Sequence, residues 1–161
     1  PEKTVVVLMG DGELETATAL GSLNLNRLLD TENNGRVIPI LHLNGYKISA
    51  PTIYGRCSER ELMTLFRGFG YDPVVVDGTN TNEFQIALSN LKPNTFIIMK
   101  TPKGYTGPKE VDAVRVEGNY VAHQVPLPLA KSDEKQLRML EKWLKSYNFK
   151  ELYHEFAFED W

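Results

Sequence analysis

Asp11 stands between two glycines in Met9-Gly10-Asp11-Gly12-Glu13, and Asn44 stands in His42-Leu43-Asn44-Gly45-Tyr46-Lys47. Each follows an apolar, strand-like run, residues 4–9 for the first and 37–41 for the second. A carboxylate and an amide oxygen at the C-terminal ends of two parallel strands sit where open α/β sheets bind ligands. With nearby backbone carbonyls they suit a hard divalent cation such as Mg2+, which commonly also takes phosphate oxygens. The glycines beside Asp11 let the backbone approach a phosphate closely. By residue type alone a second reading stands level with this one. In it Asp11 is a turn residue between glycines, and Asn44 caps the turn before Gly45.

The elements that would position these residues alternate. Residues 4–9 read as a buried strand, continuous and β-branched. A helix over 16–29 follows, with Leu20, Leu23 and Leu28 at helical spacing and Thr16 or Thr18 as its cap. Asn33-Asn34-Gly35 makes a turn, and 37–41 form a second strand despite Pro39, which sits more easily at an edge. Ser58-Glu59-Arg60-Glu61 is a capping box that starts a helix carrying Leu62, Leu65 and Phe66 and ending near Gly68 and Gly70. Residues 73–77 give a third strand, 82–91 a short helix and 95–99 a fourth strand. This order predicts an α/β fold, a three-layer parallel sheet with helices on both faces.

Residues 101–131 hold Pro102, Gly104, Gly107, Pro108, Gly118, Pro126 and Pro128 and read as a long irregular segment. Such a loop in a compact domain is usually functional or disordered. Ser132-Asp133-Glu134 caps a last helix whose stripe of Leu137, Leu140, Trp143 and Leu144, with Tyr147, is expected to face the core. The tail from Asn148 carries Phe149, Tyr153, His154, Phe156, Phe158 and Trp161, and is expected to pack on another segment or partner.

At 161 residues with 42% hydrophobic and 24% charged residues, the chain is a single domain of ordinary soluble composition. A net charge of −3 gives nucleic acid or an anionic membrane no basic surface. Cys57 is the single cysteine, so no internal disulfide forms, and it reads as a small apolar filler. No apolar run reaches the length of a membrane span and no signal peptide opens the chain, which fits a cytoplasmic protein. The chain opens on Pro1-Glu2-Lys3 without Met, so it is expected to be part of something larger.

Four blocks narrow the reading: Gly10-Asp11-Gly12-Glu13-Leu14-Glu15-Thr16, residues 40–48 around His42-Leu43-Asn44-Gly45-Tyr46-Lys47, residues 100–112 around Lys100-Thr101-Pro102-Lys103-Gly104-Tyr105, and His123-Gln124-Val125-Pro126-Leu127. Gly-Asp-Gly followed by a distant Asn is similar to the diphosphate-binding motif of thiamine-diphosphate enzymes. The four blocks in this order resemble phosphoketolase over nearly the whole chain. That resemblance implies the thiamine-diphosphate-binding fold, here its diphosphate-binding module. Residues 1–161 would be one partial domain, with an active-site segment near 101–131 and a helix and tail over 132–161.

The implied cofactors are thiamine diphosphate and Mg2+, the metal held by Asp11, Asn44 and the Tyr46 carbonyl. Gly10, Asp11, Gly12, Glu13 and Asn44 would bind the cofactor, with Glu13 ordering the loop. Lys103 and His123 match polar residues that face the reaction centre, Lys103 for phosphate and His123 for proton transfer. His42 reads as a strand-end residue. The implied reaction cleaves a ketose phosphate with inorganic phosphate to acetyl phosphate and an aldose phosphate, a carbon–carbon lyase reaction.

The family's cofactor lies between two domains, so the chain is expected to need a pyrimidine-binding partner domain, to be inactive alone and to form a homo-oligomer. The alternative is a non-catalytic module that keeps the fold and cation site. Two departures bear on this. Residues 87–93 are short against the family pattern, and Thr16-Ala17 stands where Thr-Gly is usual. A dinucleotide-binding protein is disfavoured because no G-x-G-x-x-G follows the first strand.

Overall fold

The computed structural model describes residues 3–30 and 33–149. Four strands, β1 (Thr4–Gly10), β2 (Arg36–Leu43), β3 (Asp72–Asp77) and β4 (Thr95–Lys100), form one sheet in the order β1-β2-β4-β3. Every pairing is parallel. Gly10 pairs with His42 and Leu43 with Lys100, so the segments after β1, β2 and β4 leave the same end of the sheet.

The helices are α1 (Asp11–Leu14), α2 (Ala17–Ser22), α3 (Glu59–Gly68), α4 (Thr81–Ser89) and α5 (Glu134–Ser146). On one sheet face Leu41, Leu43, Phe96 and Ile98 join Leu14, Leu23, Leu62, Phe66 and Tyr71 in the main core. Phe66 stacks on Phe96 with ring centroids 3.9 Å apart. On the other face Ile40, Val76 and Ile97 meet Phe84 and Ala87 of α4. The predicted three-layer parallel α/β fold is the observed one.

Local chemistry explains the starts. Ser58 accepts from the Glu61 N–H while Glu61 reaches back to the Ser58 N–H, so the capping box opens α3. Asn80 and Asp133 cap α4 and α5 in the same way with single side chains.

Three expectations change. The helix expected over 16–29 is broken. α1 begins at Asp11, Thr16 then caps α2, and Leu23–Arg27 tightens into a 3₁₀ turn. Gly21, Asn24 and Asn26 are weak helix formers, and Asn26 and Arg27 instead donate to the Gly70 and Gly68 carbonyls. Second, β1 is not a buried strand. It is the sheet edge, and Val5, Val6, Val7 and Leu8 are 40–64% exposed, because among the described residues no element covers either of their faces.

Third, Leu137 and Leu144 of α5 face solvent and Gln136 is buried. α5 packs through Met139, Leu140 and Trp143 on a small cluster of Val111, Val116 and Leu127. The Gln136 amide there donates to Asp112 and accepts from the Leu129 N–H. Tyr147 is exposed and its hydroxyl hydrogen-bonds with Thr106 and Trp143. Of the aromatic tail, Phe149 is exposed and residues 150–161 lie outside the described residues.

Pro39 falls within β2, a strand with neighbours on both sides, yet its sequence conflict has a physical answer. Pairing with β4 begins only at Ile40, so Pro39 has a strand on one side alone and behaves as an edge residue.

Residues 101–131 are irregular as expected. Their one ladder joins β5 (Glu110–Val111) to β6 (Val114–Arg115) through Asp112 and Ala113, both at positive φ. Those two left-handed residues are what a two-residue hairpin turn needs.

Phe66 is fully buried against Phe96. Phe66→Ala should lower unfolding stability by about 3–5 kcal/mol, measured by urea titration. Retention of wild-type stability would mean that this stack does not anchor the main core.

Candidate site at the C-terminal edge of the sheet

Asp11 is 1% exposed, and a charge so buried must be satisfied. One carboxylate oxygen accepts from the Gly45 N–H at 2.6 Å and the Thr52 hydroxyl at 3.0 Å. The other accepts from the Gly12 N–H at 2.9 Å. Asp11 therefore ties the end of β1 to the loop after β2. A carboxylate has about four lone-pair positions, so one remains open. Asn44 is half-buried, and its amide oxygen accepts from the Tyr46 N–H at 3.1 Å. The Tyr46 carbonyl accepts from the Lys103 ammonium at 3.2 Å.

Carboxylate, amide and carbonyl are all hard oxygen donors, each with a position left. By donor chemistry this set fits Mg2+. Among the described residues no three His, Cys, Asp or Glu side chains cluster as a metal site, so a cation here would depend on neutral oxygens.

The loop over residues 45–55 is held by groups that motif reading passed over. Thr52 donates to Asp11 and its oxygen accepts from the Gly55 N–H at 3.0 Å. The Thr52 N–H returns to the Gly45 carbonyl, and Gly45 takes φ +84° to make the turn. Gly55 lies against Gly45, and a Cβ on Gly55 would come within 2.6 Å of the Gly45 Cα and 2.8 Å of its carbonyl oxygen.

Glu15, 13% exposed, accepts from the Lys47 ammonium and the Ile53 N–H, both at 2.6 Å. The Tyr54 hydroxyl donates to the Leu14 carbonyl. Glu13 folds back to accept from the Gly10 N–H at 2.7 Å. The Gly12 N–H is already spent on Asp11. The signal for these supports was faint: Thr52 meets Asp11 across 41 residues and Ile53 meets Glu15 across 38, while Gly55 meets Gly45 within its own loop.

The polar residues of the irregular segment arrive beside this loop. Lys103 is half-buried, whereas His123 is exposed and makes no hydrogen bond among the described residues. They ride on adjoining backbones: a Cβ on Gly104 would lie 2.4 Å from the Ala122 Cβ. His42 hydrogen-bonds Thr101 at 2.6 Å. Burial pushes its imidazole below the usual range; Asp11 opposes this and Lys103 adds to it. His42, Asn44, Thr101, Lys103 and Tyr105 line a cleft of about 300 Å3. A larger cleft of about 680 Å3 opens beside it over Asn44, Tyr54, Asp77 and Lys100. Cys57 is half-buried against the main core.

The family model described as XFP N-terminal domain matches residues 1–92 and 83–158. The chain belongs to this family. It is 41% identical to a probable phosphoketolase of Streptomyces avermitilis and 40% to one of Thermosynechococcus vestitus, each match covering 95% of this chain and 22% of the relative. The chain thus spans about a fifth of the length of these relatives.

Each alignment runs over 176 positions, more than the chain has residues, so the relatives carry residues that this chain lacks. The two family-model segments meet at 83–92, where the sequence reads short. There α4 ends at Ser89 and β4 begins at Thr95. A solved transketolase from Campylobacter jejuni superposes with a TM-score of 0.62 at 20% identity, over 94% of this chain and 28% of that one. The likeness places the sheet in the thiamine-diphosphate-binding fold.

Gly55→Ala should destabilise the chain by about 1–3 kcal/mol, because its new methyl meets backbone. Gly21→Ala, which meets nothing within 4 Å in α2, should instead stabilise it by up to about 1 kcal/mol. Thermal melts of the two variants check the pair, and equal shifts would refute close packing at Gly45.

The Lys47 ammonium, then the Ile53 N–H, hold the Glu15 carboxyl below its ordinary value of 4.5. Below that value the unfolded chain binds the proton more readily, so the Glu15 contribution is present above it and lost as pH falls through the folded value. Glu15→Gln should therefore be less stable than wild type at neutral pH. The gap should close as pH falls through 4.5 and below in urea titrations. A constant gap would show that Glu15 is not the acid-sensitive clamp.

Proposed function

We propose that this segment forms the diphosphate- and cation-binding wall of a thiamine-diphosphate-dependent phosphoketolase, a carbon–carbon lyase that cleaves a ketose phosphate with inorganic phosphate to acetyl phosphate and an aldose phosphate. The observation that carries the reading is the meeting of Asp11, Asn44, the Tyr46 carbonyl and Lys103 at one end of the parallel sheet. Family membership supports it. The substrates and the second wall of the site belong to the proposal.

Asp11, Asn44 and Tyr46 would hold Mg2+, whose charge offsets that of the diphosphate, while Gly10, Gly12 and Glu13 shape the loop beside it. When bound, thiamine diphosphate supplies the nucleophilic carbon and electron sink needed to break a bond beside a ketose carbonyl. Lys103 would meet the phosphate oxygens as a half-buried point charge. His123, at the exposed rim, would hold or pass a proton at a substrate hydroxyl.

No helix among the described residues is long and apolar enough to cross a membrane. A cytoplasmic, homo-oligomeric enzyme completed by a pyrimidine-binding domain fits the reading. The short link between α4 and β4 favours a second one, a non-catalytic module that keeps the fold and cation site.

Two variants in a complete enzyme carrying this segment separate the roles. Asp11→Ala should lose thiamine diphosphate in calorimetry, since Asp11 is the one carboxylate of the set. His123→Ala should keep the cofactor and lose turnover, on the order of a hundredfold for a proton-transfer group. Equal loss of cofactor in both would overturn the assignment. The 161-residue chain alone should form no acetyl phosphate from xylulose 5-phosphate and phosphate; turnover that scales with protein would show a whole site in this segment.

A further inference from the structure

We infer that Lys103 and a divalent cation are competing occupants of the Tyr46 carbonyl, so that cation binding beside Asp11 and Asn44 turns the Lys103 ammonium into the adjoining cleft. The inference rests on the reading of Asp11, Asn44 and Tyr46 as a cation site.

Lys103 already plays the part of a cation there. Its ammonium lies 3.2 Å from the Tyr46 carbonyl oxygen, its one side-chain hydrogen bond among the described residues. The ion pairs of the described residues use Lys47, Lys100, Lys135, Arg138 and Lys145, and none uses Lys103. A half-buried ammonium is thus satisfied by a neutral oxygen alone. A Mg2+ ion bound to the same oxygen would sit about 2.1 Å from it, leaving the two positive charges no more than roughly 5 Å apart. In a partly buried site that repulsion is only weakly screened. The ammonium is the occupant that can leave, because it has no carboxylate to abandon.

The surroundings decide how it leaves. The Lys103 carbonyl accepts from the Gly118 N–H at 2.8 Å, and Gly104 is wedged against Ala122. The backbone is pinned on both counts, so the response falls to the side chain. Lys103 also lines the cleft shared with His42, Asn44, Thr101 and Tyr105, and that lining holds no carboxylate. An ammonium turned into it lacks a counter-charge and makes an anion-binding position suited to phosphate. The cleft would therefore attract phosphate strongly only after the cation is in place, which orders the two binding events.

The test uses the 161-residue chain and Mn2+ as the probe, followed by electron paramagnetic resonance. Lys103→Met keeps the length and removes the charge, and should bind Mn2+ on the order of tenfold more tightly than wild type. In the wild-type chain, Mg2+ should raise acylation of Lys103 by a soluble amine reagent, read by peptide mass spectrometry and normalised to Lys145. A circular dichroism melt matching wild type verifies that the variant folds. Equal or weaker Mn2+ binding by Lys103→Met, or acylation indifferent to Mg2+, overturns the competition while the cation site stands. Failure of both chains to bind Mn2+ overturns both the competition and the cation site.

Discussion

The arrangement at the sheet edge depends on one buried charge. Asp11 is nearly inaccessible, and a buried carboxylate without donors costs far more than this fold can spare. Three donors answer it: the Gly45 and Gly12 N–H groups and the Thr52 hydroxyl. Two of them come from the loop after β2, so satisfying Asp11 also sets that loop's position. Asn44 and the Tyr46 carbonyl are carried into place by the same bonds. The candidate cation site is thus a by-product of satisfying one side chain, and its rigidity comes from the three donors on Asp11.

Around this network the chain is uneven. The sheet interior and the Phe66–Phe96 stack are tightly closed, and the loop is clamped by Glu15, Tyr54 and the Gly45–Gly55 contact. β1, which leads into Asp11, is bare on both faces along Val5 to Leu8. The polypeptide matched here amounts to 22% of its curated relatives. Organisation is greatest where polar groups had to be satisfied and least along an apolar edge whose hydrogen-bonding groups water can reach.

The site also joins two very different kinds of backbone. Asp11 and Asn44 sit at strand ends, where parallel pairing fixes direction. Lys103 and His123 come from an irregular stretch held by glycine contacts and a two-residue hairpin. The candidate cation ligands thus lie just past the strand ends and Lys103 and His123 on the irregular segment, so two kinds of backbone meet at one candidate site.

Much of this was legible in residue order. Continuous apolar runs marked all four strands, Ser58 and Glu61 marked the start of α3, and Gly10-Asp11-Gly12 with Asn44 marked the two strand ends. These signals are local, because period, capping and turn chemistry act within a few residues. Burial was not local. β1 reads as interior and lies at the edge, because a strand's neighbours are chosen by the sheet. Gln136 is buried and Leu137 exposed, because the hairpin at Asp112 offered a polar partner where the helix met it. Thr52 and Gly55 carried no motif and Glu15, inside one, carried no role, since their partners are brought near only by folding. Residue order alone marked the four strands, the starts of α3 and α5 and the strand ends that hold the candidate site. The tertiary structure alone decided how a buried carboxylate is satisfied, which strand is left bare and which carbonyl the Lys103 ammonium meets, because each depends on contacts between residues far apart in the chain.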